Sequence, residues 1–136
     1  MEGGRRGKVN EMSWDIDTTS DGKTMDRTVY GIHGLSYGAN TQTPIDIFGA
    51  FDKYKVKFYA QGYVPAKAVK RILSFLSSRY EVETKKALEA SDSHYIGGDL
   101  ETWLPESKER DNLQITQRMI NLLSYAYRSK KGILIG

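Results

Sequence analysis

Residues 53–80 read KYKVKFYAQGYVPAKAVKRILSFLSSRY, and two periodicities within them decide the fold class. Over 54–61, Tyr54, Val56, Phe58 and Ala60 alternate with Lys55, Lys57, Tyr59 and Gln61, the pattern of a half-buried strand. Gly62 is read as its end. Val64-Pro65 then opens a helix, because proline is tolerated in a first turn and forces its predecessor to be extended. Within that helix Val69, Ile72, Leu73, Leu76 and Tyr80 fall on one stripe, with Phe75 beside it. The pair Ser77-Ser78 is expected to loosen it, and ETKKALEA over 83–90 to form a second, shorter helix from strong helix formers.

Working outward, Ile115, Met119, Leu122, Leu123 and Ala126 mark a final amphipathic helix that Asp111 or Asn112 can cap. Arg128, Lys130 and Lys131 suit its negative C-terminal end, Gly132 its stop, and 133–135 a short return to a sheet. Upstream, 24–38 reads TMDRTVYGIHGLSYG, where Gly31, Gly34 and Gly38 among apolar residues predict bulged or sharply twisted strands. Residues 45–51 are read as strand, and 100–104 as an edge strand stopped by Pro105. Together these predict an α+β fold, a small antiparallel, twisted sheet packed with two main amphipathic helices. Residues 1–23, rich in Gly, Arg, Asp, Thr and Ser, are read as a flexible N-terminal arm in which Trp14 and Ile16 are the apolar exceptions. The remaining 24–136 form a single domain.

Composition limits the chemistry. A length of 136 residues suits one domain with a sizeable core. The chain has no cysteine, which excludes disulfides and thiolate sites and suits a reducing compartment. No apolar run approaches the ~18–20 residues of a membrane-spanning helix, and the basic N-terminus lacks the apolar core of a signal peptide. The net charge is only +3, so its distribution matters more. Lys67, Lys70, Arg71 and Arg79 stand in a stretch without acids, and so do Arg118, Arg128, Lys130 and Lys131. Between them Asp99, Glu101, Glu106, Glu109 and Asp111 outnumber Lys108 and Arg110. A molecule so divided can bind an anionic surface with one face and stack on its own copies with the other. The plainer reading is that exposed helix faces carry charge.

Catalysis finds little support. His33 and His94 are the only histidines, and a metal-dependent hydrolase would have to gather them with Asp92, without HxH, HExxH or CxxC spacing. No serine sits in a nucleophile elbow, and GIHGLSYG lacks the order of a phosphate-binding loop. No cofactor is implied. For binding, Lys55, Lys57 and Tyr59 on one strand face could neutralise and stack single-stranded nucleic acid. Lys67, Lys70 and Arg71 could instead meet anionic headgroups.

The strand–proline–helix unit KYKVKFYAQGYVPAKAVKRILSFL resembles the core of rhabdovirus matrix proteins. The closing ITQRMINLLSYAYRS followed by KKGILIG is similar to the end of matrix proteins from negative-strand RNA viruses, bornavirus-like ones included. The resemblance implies a non-enzymatic, peripheral membrane protein that self-associates, binds the nucleocapsid and drives virion assembly. It would be found in the virion and the host cytoplasm, with the nucleus as a further location. On that view Arg5, Arg6 and Lys8 of the arm and Lys67, Lys70 and Arg71 of the helix contact the anionic surface, and Trp14 anchors a neighbouring copy. A Trp14 packed on its own domain is the simpler expectation. The short length fits a plant-infecting relative, and no PPxY or PTAP motif occurs.

Overall fold

The computed structural model describes residues 13–36, 44–53, 62–90 and 108–136. The fold is α+β, as the periodicities predict. The strands are β1 (Ser13–Thr19), β2 (Ile32–Ser36), β3 (Gly62–Val64) and β4 (Gly132–Ile135). The helices are α1 (Ile47–Asp52), α2 (Ala66–Ala90) and α3 (Lys108–Ser129). The strands form one antiparallel sheet in the order β2-β1-β4-β3. Ile16 pairs with Ile135, Thr18 with Ile133, and Ile133 with Val64. Ile16, Val64, Ile133 and Ile135 are fully or almost fully buried, in one cluster with Val69, Ile72 and Leu76 of α2 and Met119, Leu122 and Leu123 of α3. The next row, Asp17–Leu134–Tyr63, lies on the opposite face of the sheet, where Tyr63 is exposed.

Several expectations are corrected. The arm does not extend to residue 23, because Ser13–Thr19 is an interior strand with Trp14, Ile16, Asp17, Thr18 and Thr19 buried. Its polar side chains are satisfied locally. Thr18 Oγ1 donates to Asp26 Oδ2 and Thr19 Oγ1 to the Thr24 carbonyl, so a sequence that looks solvated folds into the core. Residues 45–51 are no strand: Asp46 accepts from Gly49 N and caps α1. Gly62 does not end strand structure, because β3 runs from it to Val64.

The serine pair at 77–78 does not interrupt α2, which runs unbroken for 25 residues. Ala87 continues the buried stripe, and Glu83 accepts from Arg79 and approaches Lys86 across successive turns. Asn112 does not cap α3, which starts at Lys108. It lies inside the helix, and its side chain bonds both backbone groups of Ile45. The helix stop is Lys130 rather than Gly132. Lys130 adopts φ +57°, Lys131 N–H donates to the Ala126 carbonyl at 2.9 Å and Lys130 N–H to that of Tyr127 at 3.2 Å, a Schellman closure. Gly132 is needed for another reason: a Cβ there would lie 2.6 Å from the Val64 carbonyl oxygen and 2.7 Å from the Tyr63 ring.

Of the glycine-rich 24–38 segment, Ile32–Ser36 forms an irregular strand, whereas 24–31 is a connection ending in a turn rather than strand. Pairing of β1 with β2 shifts between Trp14 and Ile16, and Gly34 takes φ +69°. The expected strands over 54–61 and 100–104 lie outside the described residues.

Candidate anionic-surface interface

Topology brings distant cations to one end of the molecule. Thr19, the last residue of β1, pairs with Gly132, the first of β4, and Val64, the last of β3, pairs with Ile133. The β1–β2 connection, the start of α2 and the end of α3 therefore leave the sheet at the same end. Lys67, Lys70 and Arg71 occupy the first two turns of α2 and are exposed, while Val69 and Ile72 face the core. Arg128 and Lys130, also exposed, close α3 opposite them. The two ends touch where the Lys70 ammonium lies 6.0 Å from the centroid of the Tyr127 ring. Lys23 and Arg27, both exposed, come from the β1–β2 connection. The start of one acid-free stretch of sequence, 65–80, and the close of the other, 112–136, thus meet at one basic end.

The cations near this end are not all equivalent. Lys131 is half-buried and donates to Asp26 Oδ2 at 3.0 Å. That hydrogen bond, opposed by burial and aided by the charges of Asp26, Tyr125 and Asp17, raises the ammonium's pKa. Burial pushes the Asp26 carboxyl up, but hydrogen bonds from Lys131, Thr18 and Ser20 and the lysine charge outweigh it and lower its pKa. The Asp21 carboxyl is held down at about 2, first by the backbone N–H groups of Lys23 and Thr24 that donate to its Oδ1. Lys67, Lys70, Arg71, Arg128, Lys130 and Lys131 outnumber these two acids, so the net charge of the end stays positive. Arg79, grouped with the free cations from sequence, bonds Glu83 Oε2 at 2.7 Å and the Pro44 carbonyl at 3.4 Å, away from this cluster. At the other end, Glu109 and Asp111 lie in the first turn of α3, where they complement its dipole.

Three exposed hydrophobic residues accompany the cations: Val29, Tyr30 and Tyr127. Tyr30 stacks on Tyr125 of α3 with ring centroids 4.9 Å apart and planes at 28°. Val29 and Tyr30 fall in a segment whose glycines predict strand, but they occupy a turn before β2.

Trp14 is only 6 % exposed and packs in its own core, which corrects its assignment as an anchor for a neighbouring copy. His33 sits on β2 with Nδ1 3.8 Å from Asp15 Oδ1, both side chains largely exposed. A groove of ≈ 560 Å³ beside them carries acids and bases together, Asp15 and His33 with Lys23 and Arg27. Among the described residues no cluster of three His, Asp or Glu side chains could hold a metal ion. Arg5, Arg6, Lys8, Lys55, Lys57, Tyr59, Asp92 and His94 lie outside the described residues. Among those described, no helix is long and apolar enough to cross a membrane. Comparison with protein-family models, curated proteins and solved structures finds no match to the chain.

Proposed function

We propose that this chain is a non-enzymatic adhesion and assembly protein that docks its basic end on anionic membrane. The observation that carries the reading is the convergence of Lys67, Lys70 and Arg71 with Arg128 and Lys130 at one end of the fold, from two stretches that contain no acid. A cation near an anionic bilayer contributes about 1 kcal/mol. Its reach is about one Debye length, roughly 8 Å at physiological salt. Adhesion is therefore additive over the cluster and salt-sensitive. With Glu109 and Asp111 at the far end of α3, the acidic end is held away from that surface, and copies that share it meet side to side. Such contacts can be weak, because many copies on one surface multiply them.

This behaviour is what the resemblance to viral matrix proteins implies. We extend the proposal accordingly to a matrix-type protein, peripheral at membranes, self-associating and bridging to a nucleocapsid. Flotation with phosphatidylcholine vesicles, with and without phosphatidylserine, tests the adhesion. The protein is expected to float only with the anionic vesicles and to be released by high salt. Lys67→Ala/Lys70→Ala/Arg71→Ala should lower partition about a hundredfold, three cations at ~1 kcal/mol each. Protein that stays at the bottom, or floats equally with both vesicle types, would overturn the reading.

A further inference from the structure

The turn at Thr28–Gly31 is held more firmly than its exposed position would require. Gly31 N–H donates to the Thr28 carbonyl at 3.2 Å, leaving Val29 and Tyr30 at the corners. Thr28 is fixed in turn by Asp17, a fully buried carboxylate of β1, to which it donates its N–H at 2.8 Å and its hydroxyl at 2.7 Å. Gly31 lies so close that a Cβ would sit 2.7 Å from Asp17 Oδ2. Tyr30 stacks on Tyr125 from the other side. Arg27, just before the turn, takes the left-handed conformation at φ +57°. At the tip of this braced unit Val29 is 92 % exposed, the most exposed of the large hydrophobic residues described.

A single exposed valine is ordinary on a protein surface. This one differs in its support and its company. A buried carboxylate immobilises its turn, a cation precedes it and a tyrosine follows it. Moreover, Tyr30 stacks on Tyr125, one turn before the C-terminal end of α3 that carries Arg128 and Lys130.

We propose that Val29 is an apolar insertion point that enters the outer part of an anionic bilayer when the basic end docks, an inference that rests on the adhesion reading above. The chemistry favours lipid over nucleic acid: valine offers a base no ring to stack on and no hydrogen bond. Arg–Thr–Val–Tyr instead sets an aliphatic tip between a cation for the headgroups and a tyrosine for the interface. A rigid turn inserts without first being ordered, so the apolar gain is not offset by lost chain entropy.

The chain contains no cysteine, so Val29→Cys gives a uniquely labelled protein. An environment-sensitive fluorophore there should shift to the blue on anionic vesicles and be quenched by nitroxide-bearing lipid. Independently of the label, Val29→Ser should lower partition onto anionic vesicles roughly tenfold while Val29→Leu preserves it. Both variants should keep the wild-type thermal midpoint, because the side chain touches water. If the protein floats with an unshifted label and Val29→Ser floats like wild type, the insertion is wrong and the electrostatic adhesion survives alone. If wild type does not float, both fall.

Discussion

Asp17 and Asn112 hold opposite regions of the molecule by the same device and with opposite chemistry. Each is a buried polar side chain that grips a non-helical segment, Thr28 for Asp17 and Ile45 for Asn112. Asn112 is neutral and two-handed. Its Oδ1 accepts from Ile45 N–H at 3.1 Å and its Nδ2 donates to the Ile45 carbonyl at 3.0 Å, pinning the approach to α1. Asp17 is an acceptor only. It gathers Thr18 N–H, Thr28 N–H and the Thr28 hydroxyl, and so fixes the β1–β2 connection. An amide suits a site between packed helices, since it satisfies donor and acceptor without carrying charge into the core. A carboxylate suits the basic end, where three donors converge on it and Lys131 lies near enough for Asp17 to raise its pKa. The clamp that positions the exposed turn is thus the charged one.

Removing each clamp is the most severe test of that contrast. Asp17→Ala strands two backbone N–H groups and a hydroxyl, and should cost about 3–4 kcal/mol in chemical denaturation. It should also detach the turn, so the Val29→Cys label becomes more mobile. Asn112→Ala strands one donor and one acceptor and should cost less, about 2–3 kcal/mol. The order matters more than either value: a larger loss at Asn112 would mean that the charged clamp is no stronger than the neutral one. Exchanging the chemistries sharpens the point. Asn112→Asp turns an acceptor toward the Ile45 carbonyl and should be worse than Asn112→Ala, whereas Asp17→Asn keeps one acceptor and should be milder than Asp17→Ala.

The two regions also differ in how legible they were. The helices are written in spacing: Val69, Ile72 and Leu76, or Met119, Leu122 and Leu123, declare their buried face without knowledge of any partner. β4 follows from three apolar residues after a helix end. The clamps are not local, because Asn112 acts 67 residues from its partner and no spacing links Asn112 to Ile45. For the same reason SWDIDTT reads as a solvated arm. Its Asp and Thr side chains are polar in sequence, but Thr24, Asp26 and Thr28 satisfy them in the fold. The candidate site was half legible. Lys67, Lys70 and Arg71 stand out as an acid-free run, yet only the β3–β4 and β1–β4 pairings bring Arg128 and Lys130 to the same end, and only the Tyr30–Tyr125 stack sets the Val29 turn beside α3.

Backbone strain separates the ends as well. Among the described residues, the non-glycine residues with positive φ are Arg27 and Lys130, both toward the basic end. Lys130→Gly should stabilise the fold by about 1 kcal/mol, because glycine adopts the left-handed position that closes α3 without steric cost. The same change removes a cation and should weaken anionic-vesicle binding severalfold. A variant that is both more stable and a poorer binder would show that the lysine is kept for its charge. One that is more stable and binds equally well would place Lys130 outside the contact.

The smallest effect expected is a titration, and it should be confined to one region. Asp21 has its pKa lowered from 3.8 to about 2, and that of Asp26 is also lowered. A carboxyl whose folded pKa lies below its ordinary value stabilises the fold when ionised, at pH above about 4, and that contribution is lost as pH falls through the folded value. Acid should therefore release the amides of Lys23 and Thr24, which Asp21 holds, between about pH 4 and 2. The raised pKa of Lys131 acts at the other extreme: its contribution is complete below its ordinary 10.5 and fades as pH rises through the higher folded value. Asn112 has no proton to gain in either range, so the Ile45 amide should keep its NMR shift while those of Lys23 and Thr24 move. If Ile45 moved first, acid would be opening the helical core rather than the connection, and the charged end would not be the acid-sensitive one.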